Sequence, residues 1–396
     1  MFSLLATDGR ARAGNLMIGK KDIQTPFFMP VATKGAVKAM TPAQLKETGT
    51  TCLISNGFIL SLKPGADTVA SVGGIHKFMN WDGGSFTDSG GFQILLKEFF
   101  VKHDKEGKGI HFSNPFGGKK SLFTPTDSIH IQNKIGSDVA MAFDDVPGFG
   151  ATRVQVEKSL IRTFAWAKES LQAHKESTCK TNPNQLLFGI CQGNFFEDLR
   201  IQSANEISSL DFDGFAIGGV AIGEPAKDLF MAVDIQTKIL PETKPRYIMG
   251  LGSPVELLEV IKMGGDCFDS IFPTQSARRG TLFSFDGPVR IKKKMYEDDK
   301  SPIEKGCPCY TCQNYSKLFV RHTLRLHEYV GYTLATIHNI TFLQRLMLLA
   351  REHIVEGTYD EFLKDFKSRY EANITDKAYF HYHDKEHSEG SDTKPL

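Results

Sequence analysis

Long apolar runs are missing from this sequence of 396 residues. No stretch approaches the roughly 18–20 consecutive apolar residues that a membrane-spanning helix needs. The first residues, MFSLLATDGRARAG, also lack the charged, apolar and small-residue regions of a secretory signal peptide. We therefore expect a chain that does not enter a membrane and that works in the cytoplasm.

A large net charge is missing too. The 47 basic and 46 acidic residues leave a net charge of +1, so the overall composition does not indicate a polyanionic partner. Positive charge is concentrated in one basic segment, which contains Arg278, Arg279, Arg290, Lys292, Lys293 and Lys294. Such a segment is either a solvated surface or a phosphate-binding surface, and its composition alone does not decide between them.

Short apolar runs alternate with helical patterns along most of the chain. Nearly continuous apolar runs, typical of buried parallel strands, occur at residues 25–31, 51–58, 85–92, 139–146, 186–193, 212–219, 246–252 and 267–274. Helical spacing is found between them, for example at 153–175 (with Thr152 as N-cap), 197–210 and 254–263. Eight strand–helix units predict a closed (β/α)₈ barrel of the α/β class.

Polar residues stand where several predicted strands end. Asp88, Asp144 and Asp269 belong to the third, fourth and eighth strands, and the active site of a barrel lies at the C-terminal ends of its strands. A single Asp beside a strand is usually a cap or turn residue. Three that converge would raise one another's pKa and could divide the roles of nucleophile and acid/base, as in glycosyl chemistry. Phe92 is suited to stack on a flat ring, and Gln192 offers a donor and an acceptor to a base edge.

A metal-dependent barrel hydrolase is the competing interpretation of these carboxylates. Catalytic zinc in a barrel generally needs imidazole ligands within the site. No histidine lies in the eight predicted strands, which disfavours this alternative.

Three of the seven cysteines are clustered, as Cys307, Cys309 and Cys312. Thiolates this close together repel one another unless a cation neutralises them, so we expect one structural zinc ion. His322, His327 and His338 are all available as the fourth ligand, and spacing does not choose among them.

Two segments fall outside the strand–helix alternation. Residues 98–127 predict a β-hairpin inserted between the third and fourth units, and residues 316–370 predict a helical region. We expect a catalytic barrel in 1–300, a zinc-binding helical subdomain packed on it in 301–370, and a disordered tail in 381–396.

Four motifs occur in a family-specific order: TDSGGFQ at 87–93, GFAIGGVAIGE at 214–224, FDSIFPTQSARRG at 268–280, and CPCYTC at 307–312 followed by HNI at 338–340. Together they resemble the tRNA-guanine transglycosylases over residues 10–365, in the bacterial or eukaryotic form. The resemblance implies a glycosyltransferase that exchanges guanine at the wobble position of tRNAs with a GUN anticodon for a 7-deazaguanine, in queuosine modification. It also implies a tRNA partner and a homodimer, or a heterodimer with a related subunit.

The resemblance implies roles for individual residues. Asp269 would be the nucleophile that forms a covalent intermediate with the ribose, and Asp88 would be the proton acceptor and donor. His338 would be the fourth zinc ligand. The base-binding set would be Asp88, Ser89, Gly90, Gly91, Phe92, Asp144, Gln192, Gly219, Val220 and Met249. The RNA-binding set would be Gly250, Leu251, Gly252, Ser253, Pro254, Val255, Glu256, Thr274, Gln275, Ser276, Ala277 and Arg278.

The sequence also departs from the pattern of the family it resembles. Gln275 stands where arginine is usual, and Asn56-Gly57-Phe58-Ile59 replaces Asn-Thr-Tyr-His. The entering base is preQ1 or queuine: Val146 favours the bulkier queuine, whereas Ile222 stands where queuine users have glycine. A non-catalytic RNA-binding subunit of a heterodimer is a further alternative, disfavoured because both Asp88 and Asp269 are present.

Overall fold

The computed structural model describes residues 2–117, 120–177 and 181–372. The strands are β1 (Phe2–Asp8), β2 (Ala11–Ile18), β3 (Lys21–Thr25), β4 (Phe27–Pro30), β5 (Cys52–Asn56), β6 (Gly84–Asp88), β7 (Phe100–His103), β8 (Ile110–Phe112), β9 (Ser121–Phe123), β10 (Val139–Met141), β11 (Leu186–Cys191), β12 (Gly214–Ile217), β13 (Arg246–Ile248), β14 (Cys267–Ser270), β15 (Thr281–Leu282) and β16 (Val289–Arg290).

The helices of the same residues are α1 (Pro42–Glu47), α2 (Gly57–Leu62), α3 (Ala66–Ser71), α4 (Ile75–Met79), α5 (Gly91–Ile94), α6 (Pro125–Ile135), α7 (Arg153–Glu176), α8 (Glu197–Ser208), α9 (Ala226–Ile239), α10 (Pro254–Lys262), α11 (Phe272–Arg279), α12 (Tyr310–Asn314), α13 (Lys317–Arg325), α14 (Tyr329–Glu356) and α15 (Tyr359–Ala372). None of these helices is long and apolar enough to span a membrane.

Eight parallel strands form the central barrel. Their order around it is β4, β5, β6, β10, β11, β12, β13 and β14, and β14 pairs with β4. The ring closes between β4 and β5, where the chain after β4 pairs Val31 with Ile54 and the amide of Ala32 donates to the Ile54 carbonyl at 2.6 Å. The predicted (β/α)₈ barrel is therefore confirmed, because each of the eight apolar runs overlaps one barrel strand.

The predicted strands are too long at their C-terminal ends. The run at 85–92 ends as a strand at Asp88, and Phe92 lies in α5. The run at 267–274 ends at Ser270, and Thr274 lies in α11. Apolar residues continue past each strand because the short helices that follow also pack on the barrel. Phe92 is consequently held over the mouth of the barrel rather than within its wall.

A small antiparallel sheet of β1, β2 and β3, absent from the sequence-based prediction, contributes to the barrel interior. Phe2, Leu16, Ile18 and Ile23 from this sheet share one buried cluster with barrel residues such as Phe86. Most of β1 is exposed, so its apolar pattern is weak. This explains why periodicity did not reveal the sheet.

The insertion between the third and fourth units adds a strand to the predicted hairpin. β7, β8 and β9 form a three-stranded antiparallel sheet, and α6 begins at Pro125, just inside the predicted limit of 127. The ring of Phe58 lies edge-to-face against Phe99, Phe112 and Phe123, with ring centroids 5.2–5.4 Å apart. This aromatic cluster fixes the insertion beside the barrel mouth.

The helical region after the barrel is divided into α13, α14 and α15, and the predicted tail at 381–396 lies outside the described residues. Buried residues of α14, including Phe342 and Leu346, belong to the same large hydrophobic cluster as barrel-helix residues such as Leu258. The C-terminal helices therefore pack directly on the barrel.

Candidate active site

A cavity of about 550 Å³ opens where the loops after the barrel strands meet. Three carboxylates from three different strands reach it. The cavity is lined, among others, by Asp88, Phe92, Asp144, Gln192, Gly219, Val220, Met249 and Asp269. The structure thus brings together most of the residues that the sequence assigned to the catalytic and base-binding site.

Asp269, in β14, is held by hydrogen bonds to only one of its carboxylate oxygens. The hydroxyl of Tyr247 donates to Oδ1 at 2.6 Å, and the backbone amide of Gly250 donates to the same atom at 2.8 Å. Within the described residues, Oδ2 has no hydrogen-bond partner in the protein. Burial raises the pKa of Asp269, and the two hydrogen bonds act in the opposite direction because they stabilise the carboxylate. The result is an oriented carboxylate with one oxygen available for reaction.

Asp88 ends β6 and is the second carboxylate. Asn56, at the end of the neighbouring strand β5, donates from Nδ2 to Asp88 Oδ2 at 3.2 Å. Burial raises the pKa of Asp88 to about 6, and the charge of Asp269 adds to this effect. A carboxyl group with this pKa can both give and take a proton near neutral pH.

Asp144, after β10, lies next to Gln192 in the wall of the cavity. The Gln192 amide nitrogen donates to Asp144 Oδ2 at 2.7 Å, and Ser89 Oγ lies 3.4 Å from Oδ1. Burial raises the pKa of Asp144 to about 7, with a further contribution from Asp88. The amide oxygen of Gln192 is buried and has no partner among the described residues. It is therefore an unused acceptor at this end of the site.

Two glycines are required by the close packing around these side chains. A Cβ atom at Gly91 would lie 2.4 Å from Asp144 Oδ1. A Cβ atom at Gly219 would lie 2.3 Å from the Gln192 amide oxygen, and φ at this residue is +63°. Neither position accepts a side chain without moving a polar group of the site. Ser89, Gly90 and Gly91 support the cavity from behind rather than lining it.

Arg200, a fully buried residue of α8, organises the loops on one side of the cavity. Its guanidinium donates to the carbonyls of Asn194, Gly218 and Gly219 at 2.6, 2.8 and 2.9 Å. Burial lowers its pKa to about 10, so the side chain stays charged at neutral pH. Because the carbonyls belong to the loops after β11 and β12, one side chain fixes both loops.

The predicted RNA-binding residues differ in their accessibility. Gly250 and Gln275 line the cavity, and Ser253, Glu256 and Arg278 are at least partly exposed. The others are buried and face the protein interior: Leu251, Gly252, Pro254, Val255, Thr274, Ser276 and Ala277. The guanidinium of Arg278 donates to the Thr274 carbonyl at 2.8 Å, which anchors this side chain on α11.

A candidate metal centre lies where the chain around α12 meets α14. The ligand atoms of Cys307, Cys309, Cys312 and His338 all lie within 4.8 Å of one another. The Nδ1 atom of His338 is 3.9, 3.5 and 3.4 Å from the three sulfur atoms in that order. Its Nε2 atom lies 2.6 Å from the Phe283 carbonyl oxygen and therefore carries the hydrogen, leaving the Nδ1 lone pair for a metal.

His338 is thus the fourth member of this group among the three candidate histidines. His322 is exposed, and His327 forms a hydrogen bond with the Tyr332 hydroxyl. Three thiolates and one imidazole fit one metal ion with four protein ligands, which is a closed, structural type of site.

Comparison with known proteins agrees with this geometry. The family model described as queuine tRNA-ribosyltransferase matches residues 8–372. The chain belongs to this family. A relative of that name from Tolumonas auensis is 43% identical over 373 residues, covering 94% of this chain and 98% of the relative. Namesakes from Francisella tularensis subsp. novicida and Zymomonas mobilis subsp. mobilis are 41% and 39% identical, with 93% and 94% of this chain covered and 98% and 95% of the relatives.

The structure locates the two departures from the pattern of the queuine tRNA-ribosyltransferase family. Gln275 lines the cavity. Asn56 faces Asp88, while Phe58 is fully buried in the aromatic cluster beneath the insertion. The altered run from 56 to 59 therefore keeps its polar contact with the site and changes the packing behind it.

Sequence reasoning did not assign functions to Tyr247, Asn56 and Arg200. Tyr247 lies inside a barrel strand, where an aromatic residue normally indicates core packing. Asn56 lies near the end of a predicted strand within the run from 56 to 59, and nothing in that run indicates a contact with Asp88. Arg200 offered one usable signal, because a charged residue on the buried face of an amphipathic helix requires specific partners.

Proposed function

We propose that this chain is a tRNA-guanine transglycosylase, which exchanges guanine for a 7-deazaguanine at the wobble position of tRNAs with a GUN anticodon. The observation that carries this proposal is the pair of half-buried carboxylates, Asp269 and Asp88, that line one cavity in a member of this family. Asp269 has an oxygen free to attack, and the pKa of Asp88 is about 6.

In the first half of the reaction, Asp269 Oδ2 attacks the ribose C1′ atom of the guanosine. The bond from C1′ to N9 of guanine breaks as the bond from C1′ to the aspartate oxygen forms. Protonated Asp88 supplies a proton to the departing guanine, so its raised pKa is functional. The tRNA is then held as a covalent ester.

In the second half, the 7-deazaguanine occupies the same cavity. Asp88, now ionised, removes the proton from N9 as this nitrogen attacks C1′ and displaces Asp269. Charge and protons balance over the cycle, because Asp88 loses one proton to the leaving base and regains one from the entering base. One glycosidic bond is broken and one is formed, so the number of glycosidic bonds does not change.

Base recognition uses the polar end of the cavity. Asp144 and Gln192 offer acceptors to the N–H groups of a guanine-type edge, and the Gly219 backbone lies against them. Phe92, whose side chain is 42% exposed, and Met249 form the apolar faces on either side of a flat ring. Ile222 and Val146 line the region where preQ1 and queuine would differ.

The tRNA would be bound by the accessible residues near β13 and β14. These are Gly250, Ser253, Glu256, Gln275 and Arg278, with Arg279, Lys293 and Lys294 exposed in the basic segment. The positive side chains of this segment are suited to the phosphates of an anticodon loop.

The Cys₃His group would hold one zinc ion, whose chemistry there is to cross-link and neutralise the thiolates. It would tie residues 307–312, which include the first turn of α12, to α14, and thus stabilise a subdomain at 301–370 packed on a barrel at 1–300. The proposal includes a cytoplasmic location, which keeps the thiols reduced, and assembly of two subunits.

Incorporation of labelled guanine into a tRNA with a GUN anticodon tests the reaction, with preQ1 and queuine as separate competitors. We expect incorporation, and the stronger competitor identifies the entering base. If pure, metal-loaded protein gives no incorporation with any such tRNA, the proposal that this chain carries out the exchange by itself is wrong.

A further inference from the structure

A second cavity, of about 610 Å³, lies beside the base-binding cavity. Val146 lines both, so the two spaces are neighbours separated by the chain around this residue. The second cavity is formed by the inserted sheet, by the loop that follows β10 and by the first turns of α7. It has an apolar part that includes Phe149 and a polar part that includes Asp145, Lys158 and Arg162.

The polar part of this cavity has an excess of positive charge. Asp145 is 4% exposed, forms an ion pair with Arg162 at 2.5 Å and lies within hydrogen-bond distance of His103 Nε2, at 3.1 Å. These contacts lower its pKa, although burial opposes them, so it is a carboxylate at neutral pH. Lys158, one turn before Arg162 on α7, is exposed and has no ion-pair partner among the described residues. One cation therefore remains after Asp145 is neutralised by Arg162.

The apolar part of the cavity presents an aromatic surface. Phe149 is 46% exposed, and its ring lies edge-to-face against Phe195 at a centroid distance of 5.7 Å. A large exposed apolar side chain held by a second ring is a stacking surface for a flat ligand. An unpaired cation beside such a surface fits a nucleotide, which has both a planar base and a phosphate.

The position of the cavity indicates whether its ligand is a free base or a nucleotide within a polynucleotide. It follows β10, which is four strands away from β14 in the eight-stranded ring and hence on the opposite side of the mouth. The basic segment lies on the β14 side. A polynucleotide whose reactive base enters the mouth can contact both sides. A free base lacks the negative charge that Lys158 would pair with.

We propose that this second cavity binds a nucleotide of the bound tRNA other than the guanosine being exchanged. Its base stacks on Phe149, and its phosphate pairs with Lys158 and with the outer edge of Arg162. This inference rests on the proposed function for the identity of the RNA. It adds a contact surface opposite the basic segment.

Equilibrium binding of an anticodon stem–loop RNA to the full-length, metal-loaded chain tests this inference without turnover. Phe149→Leu should weaken binding at least about fivefold through loss of base stacking. Lys158→Ala should lower the slope of log Kd against log salt concentration by about 0.7 to 0.9, as expected for one phosphate contact. The KM for free guanine should be unchanged in both variants.

Lys168→Ala is the matched control, because it removes an exposed lysine of α7 about 15 Å further along the helix and outside the cavity. Unchanged RNA affinity and salt slope in both cavity variants would overturn the inference. So would an increased KM for guanine with normal RNA binding, or binding of free GMP that is lost in Lys158→Ala while RNA affinity stays normal. Failure of the wild-type chain to exchange guanine would instead contradict the proposed reaction, independently of these binding results.

Discussion

At the scale of single residues, the structure keeps the carboxyl groups of Asp88, Asp144 and Asp269 in an environment that opposes their ionisation. The pKa of Asp88 is raised from 3.8 to about 6, which corresponds to about 3 kcal/mol. The pKa of Asp88 is higher in the folded chain than in the unfolded chain, so Asp88 stabilises the fold fully below about pH 4. This stabilisation is lost as the pH rises through about 6. Asp88→Asn should therefore raise the free energy of unfolding by up to about 3 kcal/mol near pH 8 and by little near pH 4. Urea unfolding at the two pH values measures this; equal effects at both would contradict the environment assigned to Asp88.

Tyr247 is a positioning residue for Asp269. Tyr247→Phe removes the 2.6 Å hydrogen bond to Oδ1 and leaves only the Gly250 amide to orient the carboxylate. Since the hydroxyl lowers the pKa of Asp269, its loss raises that pKa. We expect kcat to fall by roughly 10- to 100-fold, with a larger loss near pH 6 than near pH 8, and with an unchanged KM for tRNA. A uniform decrease across the pH range would indicate a structural role alone.

At the scale of elements, α8 holds two loops of the cavity in place through one side chain, Arg200. Arg200→Lys keeps the charge, but a single ammonium group cannot donate to the carbonyls of Asn194, Gly218 and Gly219 in the geometry of the planar guanidinium. The loop that carries Gly219 should become less ordered, so we expect the KM for free guanine to rise about tenfold while the Asp269 adduct still forms. Steady-state kinetics with varied guanine measures this. A normal KM would mean that the loops hold their positions without Arg200.

Whether an element could be predicted from the sequence depended on how its residues are buried. The eight barrel strands were predictable because buried parallel strands are continuous apolar runs, and the capped helix α7 was predictable from Thr152 and its helical spacing. The sheet of β1 to β3 was not, because most of β1 is exposed and its residues do not alternate between buried and exposed. The aspartates were visible at strand ends, whereas Tyr247 resembles a core residue until its hydroxyl is seen against Asp269. Side-chain partners between strands depend on register, which composition does not give.

At the scale of the whole molecule, the Cys₃His group joins the chain after the barrel to α14 and thereby to the barrel. Cys309→Ser should reduce bound zinc from about one ion per chain and lower the unfolding temperature, because metal binding stabilises only the folded state. Metal analysis and thermal unfolding test this prediction. Cys191→Ser is the control for loss of a thiol, because Cys191 is a buried free cysteine outside the Cys₃His group. Stable protein without zinc would contradict the structural role of the site.

Trapping the covalent adduct between Asp269 and tRNA is the sharpest test of the proposed reaction. Wild-type protein incubated with tRNA in the absence of an entering base should give a protein–RNA species that survives denaturing electrophoresis. Asp269→Asn should bind tRNA with nearly unchanged affinity and give no such species, because the amide cannot replace the attacking carboxylate. An adduct of normal abundance in Asp269→Asn, or guanine exchange at the normal rate by this variant, would show that Asp269 is not the nucleophile.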